Sequence, residues 1–319
     1  MSYRRSLYFV VKAFKQFFIL SAYLVLSLIS FAFFDVADFD QDRRAALINL
    51  ETGGYIAPGA SQWLWSVLMT VLSLIITGNP EKILQFISVT IIFILNLTFF
   101  YSCNKNFLLL VLGPLLIFLP TMQDLVYHTM RQGFALALIF LSLTFLRRRE
   151  TLVTFFSVLT HLSSLPFLLV RAILRFIKID QRMMTLSSVV LRGYSVFLLS
   201  VILLGLILAL PLLGQIFSVS SDYFVFDIEN LKRLLLFLLV YPVLIQKYSQ
   251  RDEVRSADWS LRILILIGVC FAMISSDFTR SLTLVVPGLY MLTALSVSNT
   301  QLSARVASIL GISIVMVII

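Results

Sequence analysis

Residues 63–78 read WLWSVLMTVLSLIITG and run into Gly78-Asn79-Pro80, a helix stop. Sixteen residues make about 24 Å of helix at 1.5 Å per residue, short of a hydrocarbon core of about 30 Å. Whether this stretch crosses a bilayer fixes the side of every later loop. If it crosses, strict alternation from a cytoplasmic N-terminus puts Arg147-Arg148-Arg149 outside, against the bias of short cytoplasmic loops toward Lys and Arg. As a re-entrant or interfacial helix on the outer side, it returns the triplet to the cytoplasm.

Around it lie apolar runs of spanning or near-spanning length: Gln16–Phe34, Ile83–Ser102, Phe107–Met122, Arg131–Leu146, Tyr194–Phe217, Leu231–Gln246, Leu261–Ser276, Ser281–Val297 and Arg305–Ile319. The first follows Arg4, Arg5, Lys12 and Lys15 without a small-residue cleavage site and reads as a retained span. Thr151–Lys178 is flanked by basic clusters on both sides, so it reads as a helical hairpin turning near Thr160-His161-Leu162-Ser163-Ser164. The expectation is a single all-α polytopic membrane domain over residues 1–319, with about nine spans. It adds a re-entrant helix at 63–78, a hairpin at 151–178 and outer loops at 35–62 and 218–230.

Composition supports this class. Of 319 residues, 60% are apolar and 13% charged, with 28 Phe and a mean hydropathy of +0.98. That leaves too little charge to clothe a soluble globule of this size and no room for a separate soluble catalytic domain. Disorder, a disulfide scaffold and an ordinary cytosolic enzyme are excluded. The net charge of +9 does not signal nucleic acid, because its location carries the meaning. The inferred cytoplasmic parts hold 18 Lys and Arg against 5 acids, and the outer parts 7 against 11. No internal repeat suggests an inverted-repeat transporter.

Ionisable groups on the outer side are costly to keep in or near the membrane and form a short list. The loop DVADFDQDRRAALINLETGGYIAPGASQ, residues 35–62, clusters Asp35, Asp38, Asp40 and Asp42. Asp38 or Asp40 can act as a base or hold sugar hydroxyls; alternatively the acids cap the first span, with Arg43 and Arg44 as charge partners. Arg131 opens a span at His128-Thr129-Met130-Arg131-Gln132-Gly133, where its planar fork suits a diphosphate or its stem snorkels to the interface. His161 sits in a polar turn among apolar residues, as a general base, a donor to an anion, or a packed histidine. Arg280 follows Asp277-Phe278-Thr279 and either clamps a phosphate or pairs with Asp277.

Two histidines, and two cysteines in or beside apolar runs, give no zinc spacing and no disulfide frame. There is no Walker sequence, no Gly-rich dinucleotide loop and no GxSxG. Any chemistry must therefore use a donor held in the membrane.

The order of the outer acidic loop, Met130-Arg131-Gln132-Gly133-Phe134-Ala135-Leu136-Ala137, a basic turn, Leu159-Thr160-His161-Leu162-Ser163-Ser164-Leu165 and Thr279-Arg280-Ser281-Leu282 resembles the EpsG-like group of Wzy-type polysaccharide polymerases. Asp38-Phe39 matches that family's Asp-aromatic pair, Arg131-Gln132 its Arg-Gln, His161 its histidine and Arg280 its late arginine. Asp42 stands where the family has tyrosine, so Asp40 stays a rival for Asp38; Thr160 precedes His161 where the family has Phe. The resemblance implies a fold akin to the GT-C class and a multi-pass protein of the bacterial inner membrane. It implies polymerisation of undecaprenyl-diphosphate-linked oligosaccharide repeats into O-antigen or a related surface polysaccharide. Arg131, Gln132 and Arg280 would bind substrate, and Asp38, Asp40 and His161 would serve catalysis, with neither cofactor nor metal required. Implied partners are those lipid-linked oligosaccharides, membrane lipid and a chain-length regulator protein, and no nucleic acid. An O-antigen ligase and a polysaccharide flippase or transporter are the competing readings.

Overall fold

The computed structural model describes residues 18, 21–22, 24–29, 63–76, 80–103, 113–145, 149–176, 231–246, 252–274, 278–296 and 298–318. Among the described residues the chain is helical, with no strand. The elements are α1 (Trp63–Ile75), α2 (Pro80–Ser102), α3 (Pro120–Gln123), a π-helical turn (Asp124–His128), α4 (Met130–Thr144), α5 (Glu150–Thr160), a 3₁₀ turn (Leu162–Ser164), α6 (Leu165–Phe176), α7 (Leu231–Leu244), α8 (Asp252–Ile274), α9 (Phe278–Ala294) and α10 (Asn299–Ile318). Among the described residues, α2 is the one helix long and apolar enough to cross a membrane. Shorter apolar helices include α1, α4 and α5. These helices are compatible with a helical membrane protein.

The helices assemble through apolar side chains on all sides of the central elements. In α8 the described residues from Ala257 to Cys270 are buried without interruption, and in α9 those from Leu282 to Ala294. A helix buried all round sits inside a bundle and not on its surface. α8 and α9 form the most extensive pairing, with Gly268 against Val285 and Gly288 against Ile265. α2 packs on α9 through Phe99 and Tyr290, ring centroids 4.6 Å apart, and Thr98 Oγ1 lies 3.6 Å from Met291 Sδ. Leu74, Ile75, Leu238, Leu310 and Ile314 are exposed, an apolar exterior of the kind lipid tolerates.

Three helices run in one direction. Ser88, early in α2, donates to the Val126 carbonyl at 3.1 Å and lies 3.6 Å from Met130 Sδ at the start of α4. At their far ends Ser102 and Thr144 meet at 3.5 Å, so α2 and α4 are parallel. The Thr98–Met291 and Phe99–Tyr290 contacts put late residues of α2 beside late residues of α9, which makes α9 parallel to both. Polar groups bind the same trio internally: buried Asn96 donates to Ser27 Oγ at 3.4 Å and accepts from Tyr290 OH at 3.5 Å. Where water is absent, such pairs satisfy groups that would otherwise be costly to bury.

At the C-terminal end of α9 lies a buried ionic cluster. Asp258, Arg262 and Arg305 are almost wholly inaccessible to solvent. Arg262 Nε donates to Asp258 Oδ1 at 2.5 Å, and its Nη1 donates to the carbonyls of Val243 (3.2 Å), Leu244 (2.6 Å) and Gln246 (2.9 Å). Arg305 Nε donates to Gln246 Oε1 at 3.0 Å, Nη1 to the Leu292 carbonyl and, at 3.2 Å, to Ser296 Oγ, and Nη2 lies 3.6 Å from Asp258 Oδ2. One arginine thus closes the C-terminus of α7 and the other that of α9, where unpaired carbonyls and the negative helix end favour a cation.

Two spans begin earlier than hydropathy suggests, and one is interrupted. Leu261 and Arg305 are expected at the starts of runs, yet α8 begins at Asp252 and α10 at Asn299, because the charges that mimic a boundary are neutralised inside the bundle. The run Phe107–Met122 breaks before α3: Leu119 is extended, at φ −67° and ψ 141°, with Pro120 behind it at the first helical position. Proline drives the preceding residue out of the helical region and suits a helix start. The runs Gln16–Phe34, apart from residues 18, 21–22 and 24–29, and Tyr194–Phe217, with the loops 35–62 and 218–230, lie outside the described residues.

Candidate functional site

The residues leading into Arg131 form a turn that periodicity does not announce. After α3 the chain widens into the π-helical turn, in which Thr129 N donates to the Asp124 carbonyl at 2.8 Å, and then restarts as α4. Such widened turns concentrate at functional positions. Gly133 makes the packing possible: a Cβ there would strike the Leu125 carbonyl oxygen. Arg131 is half-buried and Gln132 buried in the first turn of α4, whose positive dipole end adds to the guanidinium charge.

The hairpin brings a second group to this region. α5 and α6 are short, about 17 Å and 18 Å at 1.5 Å per residue, from 11 and 12 residues. Glu150 and Arg171 pair across them with Nε–Oε1 at 3.0 Å and Nη2–Oε2 at 3.4 Å. A pair eleven residues before and ten after His161 can close only if the two arms run antiparallel. The break between them is extended at His161, with φ −153° and ψ 128°. His161 Nδ1 lies 2.7 Å from Ser163 Oγ and accepts from the Ser163 N–H at 3.3 Å.

Ser157 ties the hairpin to α4. Its hydroxyl donates to the Ala135 carbonyl at 2.9 Å and lies 2.7 Å from Ser164 Oγ. Ala135 is four residues, one turn, beyond Arg131 on the same face of α4. The His161 break is therefore anchored one turn from Arg131. Trp65 of α1 meets Phe134 of α4 edge to face, with centroids 6.5 Å apart, and α1 also packs on α5.

Arg280 is the third residue of α9. It precedes Met291 by eleven residues, as Ile87 precedes Thr98. With α2 and α9 parallel and in contact at Thr98 and Met291, the Arg280 backbone is about level with Ile87 and Ser88, and Ser88 touches Met130. The structure thus places Arg131, Gln132, the His161 break and the first turn of α9 at one end of the bundle, the end away from Asp258. Asp38 and Asp40 lie outside the described residues.

Sequence reasoning passed over several groups. Ser157, which with Ser164 of the polar turn registers the hairpin, is a single polar residue among apolar ones, and a buried serine in an apolar helix was the available signal. Arg233, the third residue of α7, is buried at the end of that helix away from Arg262, so it is a third arginine toward the Arg131 end. Among the described residues no group of three or more His, Cys, Asp or Glu could hold a metal ion.

The fold defines a class: an apolar helical bundle with Arg131, Arg233 and the His161 break toward one extremity. Residues 17–319 match the EpsG family, and the chain belongs to it. EpsG-like proteins are relatives of the Wzy-type polymerases, so the chain falls among membrane proteins of polysaccharide biosynthesis. No curated protein and no solved structure matches it.

Proposed function

We propose that this protein is a GT-C-like membrane glycosyltransferase that polymerises undecaprenyl-diphosphate-linked oligosaccharide repeats into O-antigen or a related surface polysaccharide. It works at the outer face of the bacterial inner membrane, with its N-terminus in the cytoplasm. The observation that carries the reading is membership of the EpsG family over residues 17–319. The convergence of Arg131, the His161 break and the start of α9 at one end of the bundle supports it, since a guanidinium fork there suits a diphosphate.

In this reaction a hydroxyl of the incoming repeat attacks the anomeric carbon of the growing chain. The bond from that carbon to the diphosphate oxygen breaks, and the lipid diphosphate leaves with the electron pair. The leaving group is already good, so the protein's work is alignment and stabilisation of the departing charge. Arg131 and Arg280 hold the diphosphate with planar, permanently charged forks, and Gln132 supports the first of them. Asp38 or Asp40 orients the acceptor hydroxyl and takes its proton. Membrane lipid surrounds the bundle, and a chain-length regulator is the natural protein partner of such a polymerase.

The test is a deletion strain examined on a lipopolysaccharide gel. Loss of the ladder with core plus one repeat retained is expected. Core alone would point to a ligase or a flippase, and an unchanged ladder would refute the reading.

A further inference from the structure

We infer that Ser163 is a positioning residue that fixes His161 with its ring proton on Nε2, so that His161 enters the reaction as a hydrogen-bond donor to the diphosphate and not as the base that deprotonates the acceptor. The inference rests on the polymerase reading above for its ligand, but not for its geometry.

The geometry is specific. His161 is half-buried in the break between α5 and the 3₁₀ turn, where its extended backbone turns the ring toward the residues that follow. Nδ1 accepts from the Ser163 backbone N–H at 3.3 Å. A backbone N–H can only donate, so Nδ1 must present its lone pair, and the Ser163 hydroxyl at 2.7 Å from the same nitrogen must donate as well. A neutral imidazole with Nδ1 as acceptor carries its proton on Nε2.

The turn itself is held in place. Ser164, next to Ser163, contacts the Ser157 hydroxyl at 2.7 Å, and Ser157 donates to the Ala135 carbonyl at 2.9 Å. The Ser163 backbone therefore cannot shift away from the ring without straining the link between the hairpin and the Arg131 helix. A base for the acceptor hydroxyl needs a lone pair facing substrate, and here the Nδ1 lone pair is turned inward onto the turn. With the turn anchored to α4 one turn from Arg131, this tautomer gives His161 an Nε2–H to donate to the charge that grows as the bond to the anomeric carbon breaks.

The chain has two histidines, so ¹⁵N-histidine NMR of a His128→Gln variant in detergent at alkaline pH reads His161 alone. The expected spectrum shows Nε2–H. Ser163→Ala should introduce a detectable Nδ1–H population, and Ser163→Thr, which keeps the hydroxyl, should restore the original pattern. Nδ1–H in the parent chain would overturn the tautomer, and an unchanged spectrum in Ser163→Ala at unaltered thermal midpoint would overturn the positioning role of the Ser163 hydroxyl and leave the tautomer to the backbone N–H.

The second arm is polymer formation by the full chain in liposomes supplied with lipid-linked repeats. The Gln amide N–H reaches the position of Nε2, and the Asn amide does not. His161→Gln should therefore retain activity within about tenfold, while His161→Asn and His161→Ala fall by about a hundredfold or more. Equal loss in all three would overturn the donor role. If the parent chain shows Nε2–H but makes no polymer, the polymerase reading and the donor role fall while the tautomer stands.

Discussion

Glu150 and Arg171 are locked together at the open end of the hairpin, Nε to Oε1 at 3.0 Å, with both side chains almost wholly buried. The pair fixes where the arms end, and therefore where the His161 break sits along α4.

Removing one partner leaves a buried charge, a loss of about 3–5 kcal/mol. Arg171→Ala and Glu150→Ala should each lower the thermal midpoint of the purified protein and its yield from membranes. The double replacement Glu150→Leu with Arg171→Met should recover most of that loss, because an apolar pair has no charge to desolvate. A double variant no better than the singles would show that the charges do more than satisfy each other.

Asp258 neutralises two buried arginines at once. Asp258→Ala should be worse than either Glu150→Ala or Arg171→Ala, since it strands Arg262 and Arg305 together. Adding Arg305→Met should restore folding in part, read as the monodisperse fraction on size exclusion in detergent after heating. Recovery to the parent level would mean that the cap on α9 contributes nothing.

Gly133 faces backbone, and Gly311 faces a side chain. Gly133→Ala drives a Cβ into the Leu125 carbonyl oxygen, whereas Gly311→Ala meets Leu239 Cδ2 at 2.8 Å, an atom that rotates away. Gly133→Ala should cost about 1–3 kcal/mol of stability and displace Arg131; Gly311→Ala should be near neutral. Thermal melts of the two variants side by side decide the matter.

The arginine forks should not be replaceable by lysine. Arg131→Lys and Arg280→Lys should each reduce polymer formation by about tenfold to a hundredfold, and the alanine variants by about a hundredfold to a thousandfold. Retained polymer in an Arg131→Ala, His161→Ala and Arg280→Ala triple variant would remove this end of the bundle from the chemistry.

Membrane sidedness is testable without activity. A reporter active only outside the cytoplasm should be active when fused near Asn79 and silent near Arg148. The opposite pattern would make α1 a crossing helix.

Much of this architecture was visible in the sequence because apolar runs end at residues of clear chemistry. Ile83–Ser102 corresponds to α2, Arg131–Leu146 to α4 and Ser281–Val297 to α9, each within three residues. Thr160-His161-Leu162-Ser163-Ser164 contains the break between α5 and the 3₁₀ turn. What escaped notice were features that depend on distant partners. Arg262 and Arg305 look like loop charges until the carbonyl ends of α7 and α9 and the carboxylate of Asp258 are set around them. The π-helical turn leaves no periodic trace, since one widened turn shifts the helix phase without changing composition. Of the candidate site, the residue types were legible, but the parallel run of α2, α4 and α9 that aligns Arg131 with the first turn of α9 required long-range contacts.

That parallel trio also sets an order of events during synthesis. Asn96 leaves the ribosome nearly two hundred residues before Tyr290, and Arg131 about one hundred and fifty before Arg280. Through that interval the inserted N-terminal part carries a polar side chain without one of its two final partners, and Arg131 without the first turn of α9 at its end of the bundle. This end of the bundle is therefore assembled last, and on the proposed reading a chain stalled before α9 has not yet completed its diphosphate site.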